Sequence, residues 1–321
     1  MILPHDLLFT LAEDQVADYC SYGPSQQGVL GDLQDWGYQC DVNLNDGIHT
    51  AALALWGDAA PYATRDSIYL LVLTILSGQH REYYWLSCIT KRRICACGCQ
   101  GRHTFDRLFM VLSWSFRACL AARHPCCDHL GHHWPIGSRR AKLAAGPALP
   151  CRGALLRFLG DWAWFKQSLG LRGWRGEGPE AHICFRCSAS VAGRHPAYDF
   201  SPGASWRAAS TSMASFWTRS RFERMYVSEL WRTPGFNIKW AEPDFMHCVD
   251  LGILQVLQGN IMWELFRSCD GTIANPRRAL ALLNNMIKTV CHELGRDFFA
   301  VDHWHDSTIN GEGSQAQAES R

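Results

Sequence analysis

Three segments with strand character follow one another within residues 51–90, and this clustering limits the possible folds more than any other feature. They are AALALWGDAAP (51–61), SIYLLVLTIL (67–76) and REYYWLSCIT (81–90). Short runs rich in apolar and β-branched residues, separated by breakers, are typical of strands. We therefore predict three consecutive strands, the first of which ends at Asp58 with Pro61 as a breaker behind it.

A helix and a fourth strand are predicted next along the chain. Residues 104–122 place apolar side chains at helical spacing, and Thr104 occupies the position of an N-cap. Residues 153–171 predict a strand that runs into Asp161 and then a short helix. Strands combined with helices in this order indicate the α/β fold class with a mixed sheet.

Asp58 and Asp161 end the first and fourth predicted strands. These two strands are neighbours in a ribonuclease H-like sheet, which would bring the two carboxylates together. Carboxylates that close stay ionised only with a cation between them, and oxygen ligands suit Mg²⁺ or Mn²⁺. The alternative is that both are turn residues, because Gly-Asp pairs are common in turns.

A second helical signal covers EPDFMHCVDLGILQVLQGNIMWELF, residues 242–266. Its apolar residues recur at helical spacing, and Pro243 suits a first helical turn. Asp244 and His247 lie three residues apart and would share a face at the helix entrance. They form either part of a functional site or a capping acid beside a core histidine.

Charge is distributed unevenly along the chain. Residues 81–239 hold 24 Lys and Arg against 9 Asp and Glu, a balance of +15, although the whole chain carries only +1. A basic region attracts phosphate, and arginine binds phosphate in a bidentate manner. This pattern predicts DNA as a partner, with a solvated basic surface as the alternative, and the candidate DNA-binding residues are Arg139, Arg140, Arg172 and Arg175.

The 15 cysteines and several histidines offer three candidate metal sites. Cys184 and Cys187 form a C-x2-C pair, for which we predict structural zinc with a partner among His182, His195, His247, His303 and His305. The segment CACGCQGRH (95–103) is less favourable, because C-x-C-x-C spacing fits a tetrahedron poorly within one loop. A loop with Cys126, Cys127, His129, His132 and His133 is the third. Two ordinary thiols remain the alternative at Cys184 and Cys187.

Neither a membrane span nor a secretory signal is predicted. The longest apolar run, residues 67–78, is far shorter than the ~20 residues that a spanning helix needs. The first residues, MILPHDLLFTLAEDQ, lack the basic start of a signal peptide. These features predict an intracellular protein.

Six motifs in order resemble CACTA-like DDE transposases of the dinoflagellate type. They are LWGDAAP, CACGCQGRHT, GDWAWFKQSLGLRGW, CFRCSA, YDFSPGASWR and PDFMHCVDLGI, and the resemblance covers roughly residues 45–295. The resemblance implies a ribonuclease H-like core with Asp58 and Asp161 as the first two acids, holding Mg²⁺ or Mn²⁺. It also implies that Asp244 and His247 match a D-x-x-H signature in which the histidine holds the scissile phosphate.

The resemblance further implies a nuclear protein that cuts DNA and joins the 3′-OH to a target. It breaks off before the family's third acid, a glutamate, because Glu264 and Glu293 come too early in the order. A truncated chain with two acids is expected to cleave DNA weakly or not at all. Its oligomeric state, including a homo-oligomer, stays open.

The motifs and composition together predict five regions. These are a flanking segment (1–44), a ribonuclease H-like core (45–171), a basic insertion with the CxxC pair (172–240), a helical insertion (241–295) and a disordered tail (296–321). Two non-catalytic interpretations stay open beside the transposase: a protein that only binds DNA, and a zinc-stabilised interaction module.

Overall fold

The computed structural model describes residues 1–63, 66–79, 82–171, 182–208, 210–222, 227–244 and 276–293, and positions 254, 257, 260, 261, 264 and 265. Met1–Pro243 form one compact unit, and Asp244–Arg321 belong to a second. The sheet and the helices packed on it lie in the first unit. Most of the helix predicted over 242–266, and the whole predicted tail, lie outside the described residues.

The first unit contains a five-stranded mixed sheet in the order β3-β2-β1-β4-β5. The strands are β1 (Thr50–Ala63), β2 (Asp66–Ile75), β3 (Tyr83–Thr90), β4 (Arg152–Gly160) and β5 (Ala241–Pro243). β2 runs antiparallel to both β1 and β3. β4 runs parallel to β1, and β5 runs parallel to β4. The four predicted strands are confirmed, and the fold is mixed α/β.

Helices precede, interrupt and follow the sheet. They are α1 (Pro4–Phe9), α2 (Glu13–Tyr19), α3 (Gln27–Gln39), α4 (Arg102–Ala121), α5 (Arg139–Ala144), α6 (Trp162–Trp164), α7 (Ser205–Ala208) and α8 (Met213–Phe222). A π-helix (Phe165–Leu169) continues α6, and 3-10 turns cover Pro24–Gln26, Lys91–Arg93, Glu229–Arg232 and Ile238–Trp240. The second unit has a helix over Pro276–Glu293, close to the predicted 276–295.

The core lies where α4 packs against β4. α4 buries one stripe of side chains at helical spacing, namely Phe105, Phe109, Leu112 and Phe116. The ring of Phe109 meets that of Phe158 in β4 edge to face, with centroids 6.1 Å apart. Leu8, Tyr19 and Trp36 from the first three helices join the same core. The N-terminal segment is therefore part of the folded unit around the sheet.

Two of the predicted strand and helix boundaries were wrong. β1 does not end at Asp58, because its pairing with β2 continues from Asp58↔Leu70 to Ala63↔Asp66. The pairing of β1 with β4 ends at Trp56↔Leu159. Pro61 therefore lies in a stretch of β1 that pairs with β2 only, where a missing N–H is tolerated. Pro243 belongs to β5 and not to a first helical turn, since it pairs with Gly160.

The predicted N-cap of α4 was also wrong. The helix begins at Arg102, and its N-cap is Gly101 with φ of 84°. Thr104 lies inside the first turn, where its hydroxyl accepts the backbone N–H of Cys95 at 3.0 Å. Thr104 thus ties the helix to the preceding loop, which carries the cysteines of the next section.

Candidate metal centre

Four metal-ligating side chains converge in the loop between β3 and α4. Cys95, Cys97, Cys99 and His103 each present a ligand atom, and the four atoms lie within 4.8 Å of one another. The Sγ atoms of Cys95 and Cys97 are 3.3 Å apart, and His103 Nδ1 lies 3.7 Å from the first and 3.4 Å from the second. Tetrahedral zinc with Zn–S bonds of about 2.3 Å needs ligand separations of about 3.8 Å. The cluster therefore has the size of a Cys3His zinc site.

Left-handed backbone conformations close this loop. Gly98 and Gly101 have φ of 90° and 84°, and Gln100 has φ of 54°. A Cβ on Gly101 would lie 2.6 Å from Ile94 Cγ2, so this position needs glycine for space as well as for its φ. The carbonyl of Gln100 also accepts a hydrogen bond from Gln167 Nε2 at 3.2 Å. The reversals bring three closely spaced cysteines onto one centre, which spacing alone does not predict.

The electrostatics of the loop favour a thiolate at Cys99. A hydrogen bond from the backbone N–H of His103, in the first turn of α4, is the main cause that lowers the pKa of Cys99 to about 6. Backbone N–H groups at a helix start stabilise a nearby anion. Hydrogen bonds with the Cys95 and Cys99 thiols raise the pKa of Cys97. One thiol of the cluster is thus ready for a metal at neutral pH, and a bound cation would deprotonate the others.

Among the described residues, the geometry is more complete in the segment 95–103 than at Cys184 and Cys187, which the spacing had favoured. Cys184 and Cys187 do form a compact pair, in which Arg186 N–H donates to Cys184 Sγ at 3.3 Å. Burial first, and then the neighbouring Cys184 thiol, raise the pKa of Cys187. Among the described residues, no third His, Cys, Asp or Glu completes a metal cluster with this pair.

The histidines predicted as partners of that pair are engaged elsewhere or not described. His182 Nδ1 lies 3.3 Å from the carbonyl of Ser188, and His195 Nδ1 lies 3.0 Å from Ser205 Oγ. His247, His303 and His305 lie outside the described residues. In the third candidate loop, His132 pairs with Asp128 at 3.2 Å. Zinc at Cys184 and Cys187 remains a prediction.

The two predicted catalytic acids occupy matching backbone positions on neighbouring parallel strands. The parallel pairing of β1 with β4 extends to Trp56↔Leu159. Gly57 and Gly160 follow and are also close together, because a Cβ atom added to Gly160 would lie 2.6 Å from the carbonyl oxygen of Gly57. Asp58 and Asp161 each follow one of these two glycines. The structure therefore brings the two backbone positions together at the C-terminal end of the β1–β4 pair.

Each acid also has a local structural role. Asp161 caps α6 by accepting the backbone N–H of Trp164 at 2.5 Å, and Asp58 accepts the N–H of Ala59 at 2.6 Å. The Trp164 indole fills the space beside both glycines, since a Cβ on Gly57 would lie 2.2 Å from its Nε1. Capping of α6 therefore uses Oδ1, one of the two carboxylate oxygens of Asp161.

The remaining predicted site residues are only partly described. Asp244 follows β5 directly in the chain, while His247 lies outside the described residues. Arg139 is exposed, whereas Arg140 forms a two-contact ion pair with Asp6. Arg172 and Arg175 lie outside the described residues. Of the four predicted DNA-binding arginines, Arg139 alone is both described and exposed.

Comparisons with known proteins give no match, so the interpretation of this chain depends on local geometry. No protein-family model, curated protein or solved structure matches this chain. Within the described part of the chain, none of the helices has the length and apolar character that crossing a membrane requires. The site with the most complete geometry is the Cys3His cluster, which could bind a metal such as zinc.

Proposed function

We propose that the chain is a transposase-like DNA-processing domain with a ribonuclease H-like core, which binds Mg²⁺ or Mn²⁺ at Asp58 and Asp161. One observation carries the proposal: the sheet order β3-β2-β1-β4-β5, with β1 and β4 parallel and their two acids at matching positions. Three antiparallel strands followed by two parallel ones is the arrangement expected of that core. Its acids would share a divalent ion because paired carboxylates need one to stay ionised.

Cleavage by this chain alone is expected to be weak. A two-metal site needs further ligands to fix the second ion while water attacks in line. Since the proposal assigns the metal to Asp58 and Asp161 alone, we expect metal and DNA binding to exceed nicking activity.

Metal binding and nicking together test this proposal. Zinc-loaded protein is titrated with Mn²⁺ by calorimetry and assayed for plasmid nicking. Asp58→Asn and Asp161→Asn are compared with Asp14→Asn, an exposed aspartate in α2. We expect Mn²⁺ affinity to fall at least tenfold in the first two variants and to stay unchanged in the third. Equal affinity in all four proteins would contradict the proposal, and strong nicking that requires both acids would contradict the expected weakness.

A second candidate function is non-catalytic DNA binding by a zinc-stabilised surface. Exposed cations surround the Cys3His loop: Lys91, Arg92 and Arg93 precede it, and Arg102 and Arg107 follow it in α4. Arg92 is engaged with Asp66 at 2.6 Å. A rigid loop that presents several cations suits the phosphate backbone, and this observation stands apart from the acids.

The salt dependence of DNA binding, measured together with Mn²⁺ binding, separates the two functions. Counterion release predicts that DNA affinity falls steeply with salt, and Lys91→Gln with Arg93→Gln should lower both the affinity and the salt slope. Lys142→Gln is the control, because Lys142 lies in α5, far from the Cys3His loop in the sequence. Salt-sensitive binding without Mn²⁺ binding at Asp58 and Asp161 would favour the second function, and absence of DNA binding at low salt would contradict both.

A further inference from the structure

We infer that His5, Asp6 and His124 form a second metal site, of the two-histidine, one-carboxylate type, that takes a divalent transition ion such as Zn²⁺ or Co²⁺. One ligand atom from each residue lies within 4.8 Å of the others. His5 and Asp6 lie in α1, and His124 lies just after the end of α4. An ion here would clamp the N-terminal helix onto the long core helix, independently of the sheet acids and the Cys3His cluster.

His124 provides the first argument, because its imidazole is buried and unpaired. Its side chain is only 2% exposed, and neither ring nitrogen has a hydrogen-bond partner in the described structure. A buried polar group without a partner costs folding free energy, so an orphan of this kind needs an explanation. Phe9 packs edge to face on this ring, with centroids 4.6 Å apart, and a phenyl ring supplies no hydrogen bond to the nitrogens. A metal ion on one ring nitrogen supplies the missing partner.

His5 is held as a metal-binding histidine usually is. It is fully buried, and its Nδ1 lies 2.7 Å from Ser115 Oγ. Its Nε2 faces the Arg140 guanidinium at 3.5 Å, and since a guanidinium only donates, the neutral ring carries its hydrogen on Nδ1. Ligating histidines typically donate their other N–H to a fixed oxygen in this way. The lone pair of Nε2 therefore faces Arg140 Nη1, which a metal ion bound to Nε2 and Asp6 Oδ1 would have to displace.

Burial favours the neutral form of both imidazoles. Burial is the main cause that lowers the pKa of His5 to about 4, against the opposing charge of Asp6. Burial also lowers the pKa of His124. These shifts agree with the geometry, since a neutral ring offers a lone pair and a protonated ring does not.

Asp6 Oδ1 is the vertex that both histidines share. It lies 3.5 Å from His5 Nε2 and 4.0 Å from His124 Nδ1. Ligands about 2.0–2.1 Å from a tetrahedral zinc are separated by about 3.4 Å. The two distances from Asp6 Oδ1 are therefore within about 0.6 Å of those that a bound zinc ion requires.

Arg140 is expected to weaken the binding of a metal ion at this site. Its Nη1 contacts Asp6 Oδ1 at 2.5 Å, and its Nη2 contacts Oδ2 at 2.6 Å. A metal on Oδ1 would displace the first contact while the second, to the outer oxygen, could persist. The Arg140 side chain is 34% exposed and Asp6 is 30% exposed, so the cluster is partly open to solvent. The nearby positive charge opposes a cation, so replacing Arg140 should tighten metal binding.

Cobalt titration of the zinc-loaded full chain tests the inference. One equivalent of zinc is added first, because thiolate ligands take it in preference to a site of nitrogen and oxygen. Cobalt that is then bound by nitrogen and oxygen shows d–d bands without a thiolate-to-cobalt charge-transfer band. The variants are Asp6→Asn, His124→Gln and Arg140→Gln. The control is Asp128→Asn, which alters the exposed Asp128–His132 pair in the neighbouring loop.

We expect one equivalent of Co²⁺ in the native chain, with the thermal unfolding midpoint rising as the ion binds. Affinity should fall at least tenfold in Asp6→Asn and His124→Gln, rise in Arg140→Gln, and stay unchanged in Asp128→Asn. Absence of Co²⁺ binding to the zinc-loaded chain, or equal affinity in Asp6→Asn and the native chain, would overturn the inference. Asp6→Asn keeps the test valid if His124→Gln fails to fold, because Asp6 is partly exposed, whereas His124 is buried.

Discussion

The two thiol-rich regions of this chain differ in how their ligands are assembled. The segment 95–103 supplies three cysteines and a histidine whose ligand atoms meet within 4.8 Å. The pair Cys184 and Cys187 has the spacing usually associated with zinc, yet among the described residues no third ligand joins it. Backbone reversal distinguishes the first region, since Gly98, Gln100 and Gly101 all have positive φ. Ligand spacing therefore matters less than whether the chain between the ligands can turn.

The largest effect should come from removing thiols of the Cys3His cluster. Cys97→Ser with Cys99→Ser is expected to abolish zinc binding there and to lower the thermal unfolding midpoint, because a structural zinc contributes on the order of 10 kcal/mol to local folding. Both side chains are at least partly exposed, so packing changes are small. Zinc content and differential scanning calorimetry, each with and without a chelator, measure the outcome.

The matched variant is Cys184→Ser with Cys187→Ser. If the first region holds the metal, this variant should keep its chelator-sensitive midpoint. Loss of chelator sensitivity in the second variant, with the first unaffected, would reverse the ranking of the two regions.

A glycine pair tests the role of the backbone with a smaller effect. Gly101 and Gly47 have nearly the same φ, 84° and 83°, but a Cβ would collide with Ile94 at Gly101 and would meet nothing within 4 Å at Gly47. Gly47→Ala should therefore cost about 1 kcal/mol for its φ, and Gly101→Ala roughly 1–3 kcal/mol more for overpacking. Denaturant unfolding gives both free energies, and equal costs would show that the loop is not closed as described.

The smallest effect concerns thiol ionisation in the zinc-free protein. The main cause that lowers the pKa of Cys99 to about 6 is the N–H of His103, while neighbouring thiols raise the pKa of Cys97. Cys99 is thus mainly thiolate above about pH 6 and becomes protonated as the pH falls below it. Iodoacetamide labelling followed by mass spectrometry should give a half-maximal rate near pH 6 for Cys99 and at a higher pH for Cys97. A Cys99 midpoint at or above the ordinary thiol value of 9.0 would contradict the described loop.

The strands of the sheet could be predicted from the sequence because they are apolar runs of sufficient length. β2 and β4 lie within one residue of the expected starts, 67 and 153. β5 has only Ala241–Pro243, too few residues for any periodicity, and its place depends on pairing with β4. The ion pair of Arg157 Nε with Glu242 at 3.0 Å, which helps to hold it there, joins residues far apart in the chain.

The site residues were harder to predict for the same reason. Gly98 and Gly101 signal a turn in the sequence, but the positive φ of Gln100 has no sequence signature. Asp6 and Arg140 form an ion pair although they are 134 residues apart in the sequence. The sequence therefore did not reveal this partner, and Arg140 was predicted to bind DNA. Short helices such as α1 carry weak periodicity, which concealed His5 and its neighbours. Sequence patterns reveal local elements, whereas these contacts depend on how the elements pack.

Zinc-edge X-ray absorption is the most direct test of the claim that residues 95–103 form a Cys3His centre. The protein carries Cys184→Ser and Cys187→Ser and is loaded with one equivalent of zinc. The described cluster predicts three sulfur ligands at about 2.3 Å and one nitrogen ligand at about 2.0–2.1 Å. A coordination shell with two sulfurs or fewer, or one made of nitrogen and oxygen alone, would contradict it.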